Sequence, residues 1–210
     1  MKSFTTLEAV AAPILRENID TDVIIRIERL VGNNIRGTLA KWCFGALRYL
    51  ADGSEDPAFI LNREPYREAQ IIIGGRNFGC GSSREGAVWS LQERGVACVI
   101  APSYGDIFFN NCFQNGVLPV VLDQAVVEGL ATEVEESQGA GKITVDLRNS
   151  IVVSPSGRRH AFAVEARRRE ALLRGLDEIG VTMREAPAIT RFQARDKQRH
   201  PWIYATGDAV

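Results

Sequence analysis

Apolar positions along this chain fall into short blocks of two kinds. Continuous β-branched or aliphatic runs occur at Ile71-Ile72-Ile73, Val96–Ala101 and Leu118–Leu122, and runs this short and this apolar predict buried strands. Between them the spacing turns helical. Ala87, Val88 and Leu91 share one face of a helix predicted over Glu85–Arg94, which Gly95 stops. A short helix is expected over Tyr104–Asn111 and a longer one over Ala125–Glu136, with a solvated acidic end. Strand, helix and parallel strand in succession make βαβ units. From Lys142 the pattern changes to Ile143–Leu147, Ile151–Ser154 and Arg159–Val164, short strands separated by polar turns, a three-strand meander.

The flanking segments read less sharply. Phe4–Leu15 is apolar and β-leaning, and Ala40–Tyr49 reads as a short helix carrying Trp42, Phe44 and Leu47 on one face. Glu165–Leu176 is a helix with a basic face and an apolar one, ended by Gly175. The tail from about residue 188 is polar and basic apart from Trp202-Ile203-Tyr204. No repeat or linker divides the chain, so residues 1–210 read as one mixed α/β domain with that tail.

Composition narrows the function. A net charge of −1 argues against a general nucleic-acid or membrane-surface binder, and no apolar run reaches the length of a membrane span. The first residues lack signal-peptide regions, so a cytoplasmic location is expected. The four cysteines, Cys43, Cys80, Cys98 and Cys112, stand singly without metal-ligand spacing, so no cofactor bound by this chain alone is expected. Cys98 reads as core. Cys80 can be packing or a direct participant.

Chemistry concentrates in Gly74–Trp89, GGRNFGCGSSREGAVW. A strand runs into a glycine-rich loop and then a helix start with two hydroxyls and a guanidinium, a setting that suits a small anion. The Gly-x-Gly-x-x-Gly, P-loop and Gly-x-Ser-x-Gly patterns are all absent. With only His160 and His200 in the chain, Ser82 has no histidine base nearby. Ser82 and Ser83 are therefore either helix caps or hydroxyls held at a positive helix end beside Arg84, able to bind a carboxylate or to be stabilised as an alkoxide. Two further groups are candidates. Asp20 and Asp22 lie ahead of an apolar run, first as turn and cap formers, second as cation ligands or base positioners. Arg36 is a lone cation in the Gly/Asn-rich loop Leu30–Thr38.

The stretch Asn77–Glu85, NFGCGSSRE, resembles the signature of the aconitase-superfamily swivelling domain, and more narrowly the small subunit of 3-isopropylmalate dehydratase. Asn18–Ile25, Ile100–Ser103 with Asp106–Phe108, Asn115–Pro119 and Gly175–Thr182 follow in the family's order. The resemblance implies a three-layer β/β/α swivelling domain. It implies a hydro-lyase subunit active only with a large subunit, as a heterodimer or heterotetramer, and a small dicarboxylate substrate. It places a [4Fe–4S] cluster on that large subunit, where iron acts as Lewis acid on the departing hydroxyl. By the same resemblance Ser82 is the base that removes and returns the carbon-bound proton, with Asp22 an acidic group near it. Arg84, Ser83 and Arg36 bind the substrate. Arg26, Gly86 and Val31–Ile35 depart from the family's usual residues, which leaves methylmalate-type or homocitrate-type diacids open as substrates beside isopropylmalate. A non-catalytic anion-binding scaffold is the rival of another class.

Overall fold

A computed structural model describes residues 1–31, 36–81 and 84–204. The chain divides into two compact units, Met1–Gly175 and Leu176–Val210. In the first unit, β1 (Thr6–Ala9) and β2 (Ala11–Ile14) follow one another but enter different sheets. Next come a single helical turn, α1 (Thr21–Ile24), and another, α2 (Gly45–Arg48). After these the chain alternates: β3 (Ile71–Gly74), α3 (Glu85–Glu93), β4 (Cys98–Ala101), α4 (Asp106–Asn115), β5 (Leu118–Val121) and α5 (Gln124–Glu136). The meander β6 (Ile143–Asp146), β7 (Ile151–Val153) and β8 (Arg159–Ala161) and the helix α6 (Ala166–Arg174) complete the unit.

The parallel sheet has the order β2-β3-β4-β5. Its strands are buried throughout except at Val121, as continuous apolar runs require when both faces are covered. Helix α5 packs across β2, β3 and β4. The antiparallel sheet has the order β1-β6-β7-β8. Its strand β6 alternates buried and half-buried positions, the pattern of a sheet with one covered face. Sheet, sheet and helices are the layers of a β/β/α domain.

Three local expectations change. The segment over Ala40–Tyr49 is not one helix: a 3₁₀ turn at Ala40–Trp42 and α2 are separated by Phe44, which adopts a left-handed conformation (φ 53°) and caps α2. Its ring is fully buried, so tertiary packing overrides the local helix pattern. Helix α4 begins later and runs further than expected, to Asn115, where Gly116 closes it at φ +78°. In the second unit, for which the sequence predicts no element after Leu176 and a polar tail from about residue 188, α7 (Glu178–Met183) is capped by Asp177 and α8 spans Ala186–Arg199 with Pro187 in its first turn.

Candidate active site

The loops that leave β2, β3 and β4 meet at the carboxyl ends of the parallel strands, where open α/β sheets bind ligands. The loop after β3 is held from both sides. On one side the Gly79 amide donates to the Ile19 carbonyl at 2.7 Å and the Thr21 amide to the Cys80 carbonyl at 3.0 Å. On the other, the Phe78 amide donates to the Ser103 carbonyl at 3.0 Å and the Asn77 amide to Ser103 Oγ at 2.9 Å. Asn18 and Asn77 both sit at positive φ, 55° and 57°, and join through Asn77 Nδ2 and Asn18 Oδ1 at 2.8 Å. Asparagine tolerates that region better than most residues.

Gly79 is at φ +71°, and a Cβ there would collide with the Phe108 ring. Phe78, Tyr104 and Phe108 form an aromatic floor under the loop, with ring centroids 5.6–6.4 Å apart. Gly79 therefore permits internal packing rather than approach of a ligand to the main chain. At Gly81, φ +88°, an added Cβ would sit 3.3 Å from Asp20 Cβ, so this end of the loop is also held close, against the residues that start α1.

Asp20 is the N-cap of α1, its Oδ1 accepting from the Val23 amide at 2.7 Å, as the turn-and-cap reading expects. Asp22 follows in the first turn, and its carboxylate forms a close ion pair with Arg84 Nη1. The Arg84 side chain is 22 % exposed and that of Asp22 50 %. Arg84 occupies the N-cap position of α3 with no side-chain capping bond. Ser82 and Ser83 lie outside the described residues, and the N-cap position of α3 belongs to neither. A guanidinium and the amides of a helix start, on one loop, favour an anionic oxygen at that place.

Arg36 is held elsewhere on the same helix. Its Nη2 donates to Gln92 Oε1 at 3.1 Å and to Asn115 Oδ1 at 3.4 Å, with Cζ 5.1 Å from the Trp89 ring centroid. It does not join the Asp22–Arg84 pair but lies about one turn or more along α3 from it. Of Val31–Ile35, residues 32–35 lie outside the described residues.

Two groups carry no mark in the sequence that assigns them a role. Asn115 is 6 % exposed, and its side chain links four partners. It accepts from Trp89 Nε1 at 3.0 Å and from Arg36, and donates through Nδ2 to Glu85 Oε1 at 2.8 Å and to the Asn111 carbonyl at 2.9 Å. Its one signal in the sequence is its place in the family-ordered block Asn115–Pro119, which gives it no function there. Glu93 clamps the Arg36 loop: Oε1 accepts from the Gly37 amide and Oε2 from the Leu39 amide, each at 2.6 Å. A carboxylate at the end of a helix opposes the dipole. That local conflict was the available hint.

The cysteines do not assemble a centre. Cys43, Cys98 and Cys112 are buried, and burial pushes the Cys43 thiol up to about 12 and raises those of Cys98 and Cys112. Burial, and the Asp20 carboxylate beside it, raise the Cys80 thiol as well, which disfavours a thiolate nucleophile. Among the described residues no three His, Cys, Asp or Glu side chains are grouped to hold a metal ion, so these residues do not fit a cluster site. No helix among them is long and apolar enough to cross a membrane.

Residues 1–125 match the family model described as the aconitase C-terminal domain, the class that the two sheets and the loop site define. Residues 178–206 match the model of the C-terminal domain of the 3-isopropylmalate dehydratase small subunit. The chain is 47 % identical to the 3-isopropylmalate dehydratase small subunit of Cupriavidus necator, over 99 % of this chain and 100 % of that protein. It is 47 % identical to the protein of the same name from Paracoccus denitrificans, over 97 % of this chain and 100 % of that one. The chain belongs to the family of 3-isopropylmalate dehydratase small subunits. A crystal structure of 3-isopropylmalate dehydratase from Methanocaldococcus jannaschii has the same fold, with a TM-score of 0.63 at 22 % identity, covering 89 % of this chain and 98 % of that one.

Proposed function

We propose that this chain is the small subunit of a hydro-lyase of leucine biosynthesis that isomerises 2-isopropylmalate to 3-isopropylmalate by dehydration and rehydration. It works in the cytoplasm with a large subunit, and the [4Fe–4S] cluster of the enzyme sits on that partner. The observation that carries the assignment to this site is Arg84. Its guanidinium stands at the start of α3, oriented by Asp22, immediately after two serines on a loop fixed from both sides.

In this reading Arg84 and Ser83 hold a substrate carboxylate. Asp22 fixes the guanidinium plane and balances its charge until the substrate carboxylate arrives. Ser82, as an alkoxide favoured by the helix start and by Arg84, takes and keeps the proton from the substrate carbon. The hydroxyl on the neighbouring carbon takes a second proton from an acid of the large subunit and departs as water; that acid recovers its proton from the water that adds back. Ser82 returns its own proton to the adjacent carbon when water adds back in the other sense. Arg36 meets the substrate from the loop that Glu93 holds. Preorganised charge of this kind usually does most to lower such a barrier.

The test is reconstitution with the large subunit, followed by the absorbance of the unsaturated intermediate, isopropylmaleate. Ser82→Ala is expected to assemble normally, seen by size-exclusion chromatography, and to lose about 10²–10⁴-fold in turnover. Ordinary turnover in that variant, or full activity of this chain by itself, would overturn the assignment. Preference for a methylmalate-type or homocitrate-type diacid in the same assay would move the substrate and keep the residue roles.

A further inference from the structure

A cavity of about 640 Å³ opens on the face formed by the residues after α1 and those around α2. Its size is that of a small-molecule site. Its lining includes Arg26, Arg29 and Lys41, the aromatic rings of Trp42 and Tyr49, and no carboxylate among the described residues. Arg29 Cζ lies 3.6 Å and Lys41 Nζ 5.0 Å from the centroid of the Trp42 ring. The two charges are thus within one Debye length of each other, about 10 Å at 0.1 M salt.

Three cations that converge without a carboxylate repel one another, and each would gain from a shared counter-charge. Neither of the two arginines forms an ion pair with an acid among the described residues. Each guanidinium presents a planar fork of donors suited to phosphate or carboxylate oxygens. Trp42 contributes the face of its ring, over which the Arg29 guanidinium lies. The Asp22–Arg84 pair and the Arg36 network contribute none of this lining.

We propose that this cavity is a binding site for a small polyvalent oxyanion, gripped by Arg26, Arg29 and Lys41 against Trp42. The inference does not rest on the reaction proposed for the chain. Phosphate and carboxylate groups share the chemistry that this lining recognises, and the test separates them. The indole N–H resonances of the full-length ¹⁵N-labelled chain are followed at constant ionic strength during titration with pyrophosphate and, separately, with tricarballylate. The Trp42 resonance is assigned from the spectrum of Trp42→Phe. A saturable shift of that resonance is expected with at least one probe, and the probe that saturates at lower concentration tells phosphate from carboxylate. Arg26→Ala/Arg29→Ala should weaken it by at least about tenfold, while Arg84→Ala leaves it in place, which separates this site from the proposed active site. Unmoved Trp89 and Trp202 resonances show that the double variant is folded. No saturation by either probe, or an undiminished shift in the folded double variant, overturns the proposal.

Discussion

Removing the Glu93 carboxylate gives a direct measure of how far the Arg36 loop depends on α3. Glu93→Ala deletes two acceptors at 2.6 Å, one for the Gly37 amide and one for the Leu39 amide. Hydrogen bonds to a charged group contribute about 1.5–3 kcal/mol each when shielded, and less at the surface. The bond to Gly37 is exposed and that to Leu39 partly buried, so a total of about 2 kcal/mol is reasonable for the pair. Part of this returns, because deletion also removes an acid from the carboxyl end of α3, worth about 0.3–1 kcal/mol. Urea unfolding of the chain alone should therefore show a loss of roughly 1–2 kcal/mol. If substrate must restore the loop on binding, the same energy reappears as a fall of about 5–30-fold in kcat/KM of the reconstituted enzyme. KM should carry most of that fall, because the chemistry at Ser82 is untouched. Glu93→Gln keeps one acceptor and should lie between. If Glu93→Ala shows the stability loss and a kcat/KM within about twofold of the parent, the clamp is structural only and the placement of Arg36 against substrate is wrong.

Other outcomes follow from the same geometry. Arg84→Lys keeps the charge but loses the planar fork, so KM should rise at least about tenfold with assembly intact; an unchanged KM would remove Arg84 from the carboxylate contact. Gly79→Ala forces a Cβ against Phe108 at φ +71° and should lower stability by about 2–4 kcal/mol, read as a fall in Tm; a change within about 0.5 kcal/mol would contradict the packing described. The buried thiols make stability pH-dependent. The Cys43 thiol ordinarily ionises near 9.0 and is pushed up to about 12 by burial, with Cys98 and Cys112 raised too. Above pH 9.0 the unfolded chain releases these protons while the folded chain keeps them, so stability should fall from there to about pH 12. Urea midpoints independent of pH between about 8 and 10.5 would refute it.

Much of this protein was legible without coordinates. Continuous apolar runs at Ile71–Ile73, Val96–Ala101 and Leu118–Leu122 determine buried parallel strands, because no half-exposed strand tolerates them. The cap at Asp20 and the stop at Gly95 follow from local hydrogen bonding and backbone freedom, which depend on neighbours in sequence. Family membership is carried by the stretch from Asn77 to Glu85, where residue types and spacing suffice. Other features depend on contacts between distant segments, which local propensity does not encode. Phe44 takes a left-handed conformation because its ring is buried, β1 leaves the chain's local order to pair with β6, and the glycine at 79 makes way for Phe108 from α4. The same holds for the site. Sequence proposed Asp22, Arg84 and Arg36 separately. Only the tertiary structure joins the first two in one ion pair and hands the third to Asn115 and Trp89, since a side chain's partner is set by the packing of elements far apart in the chain.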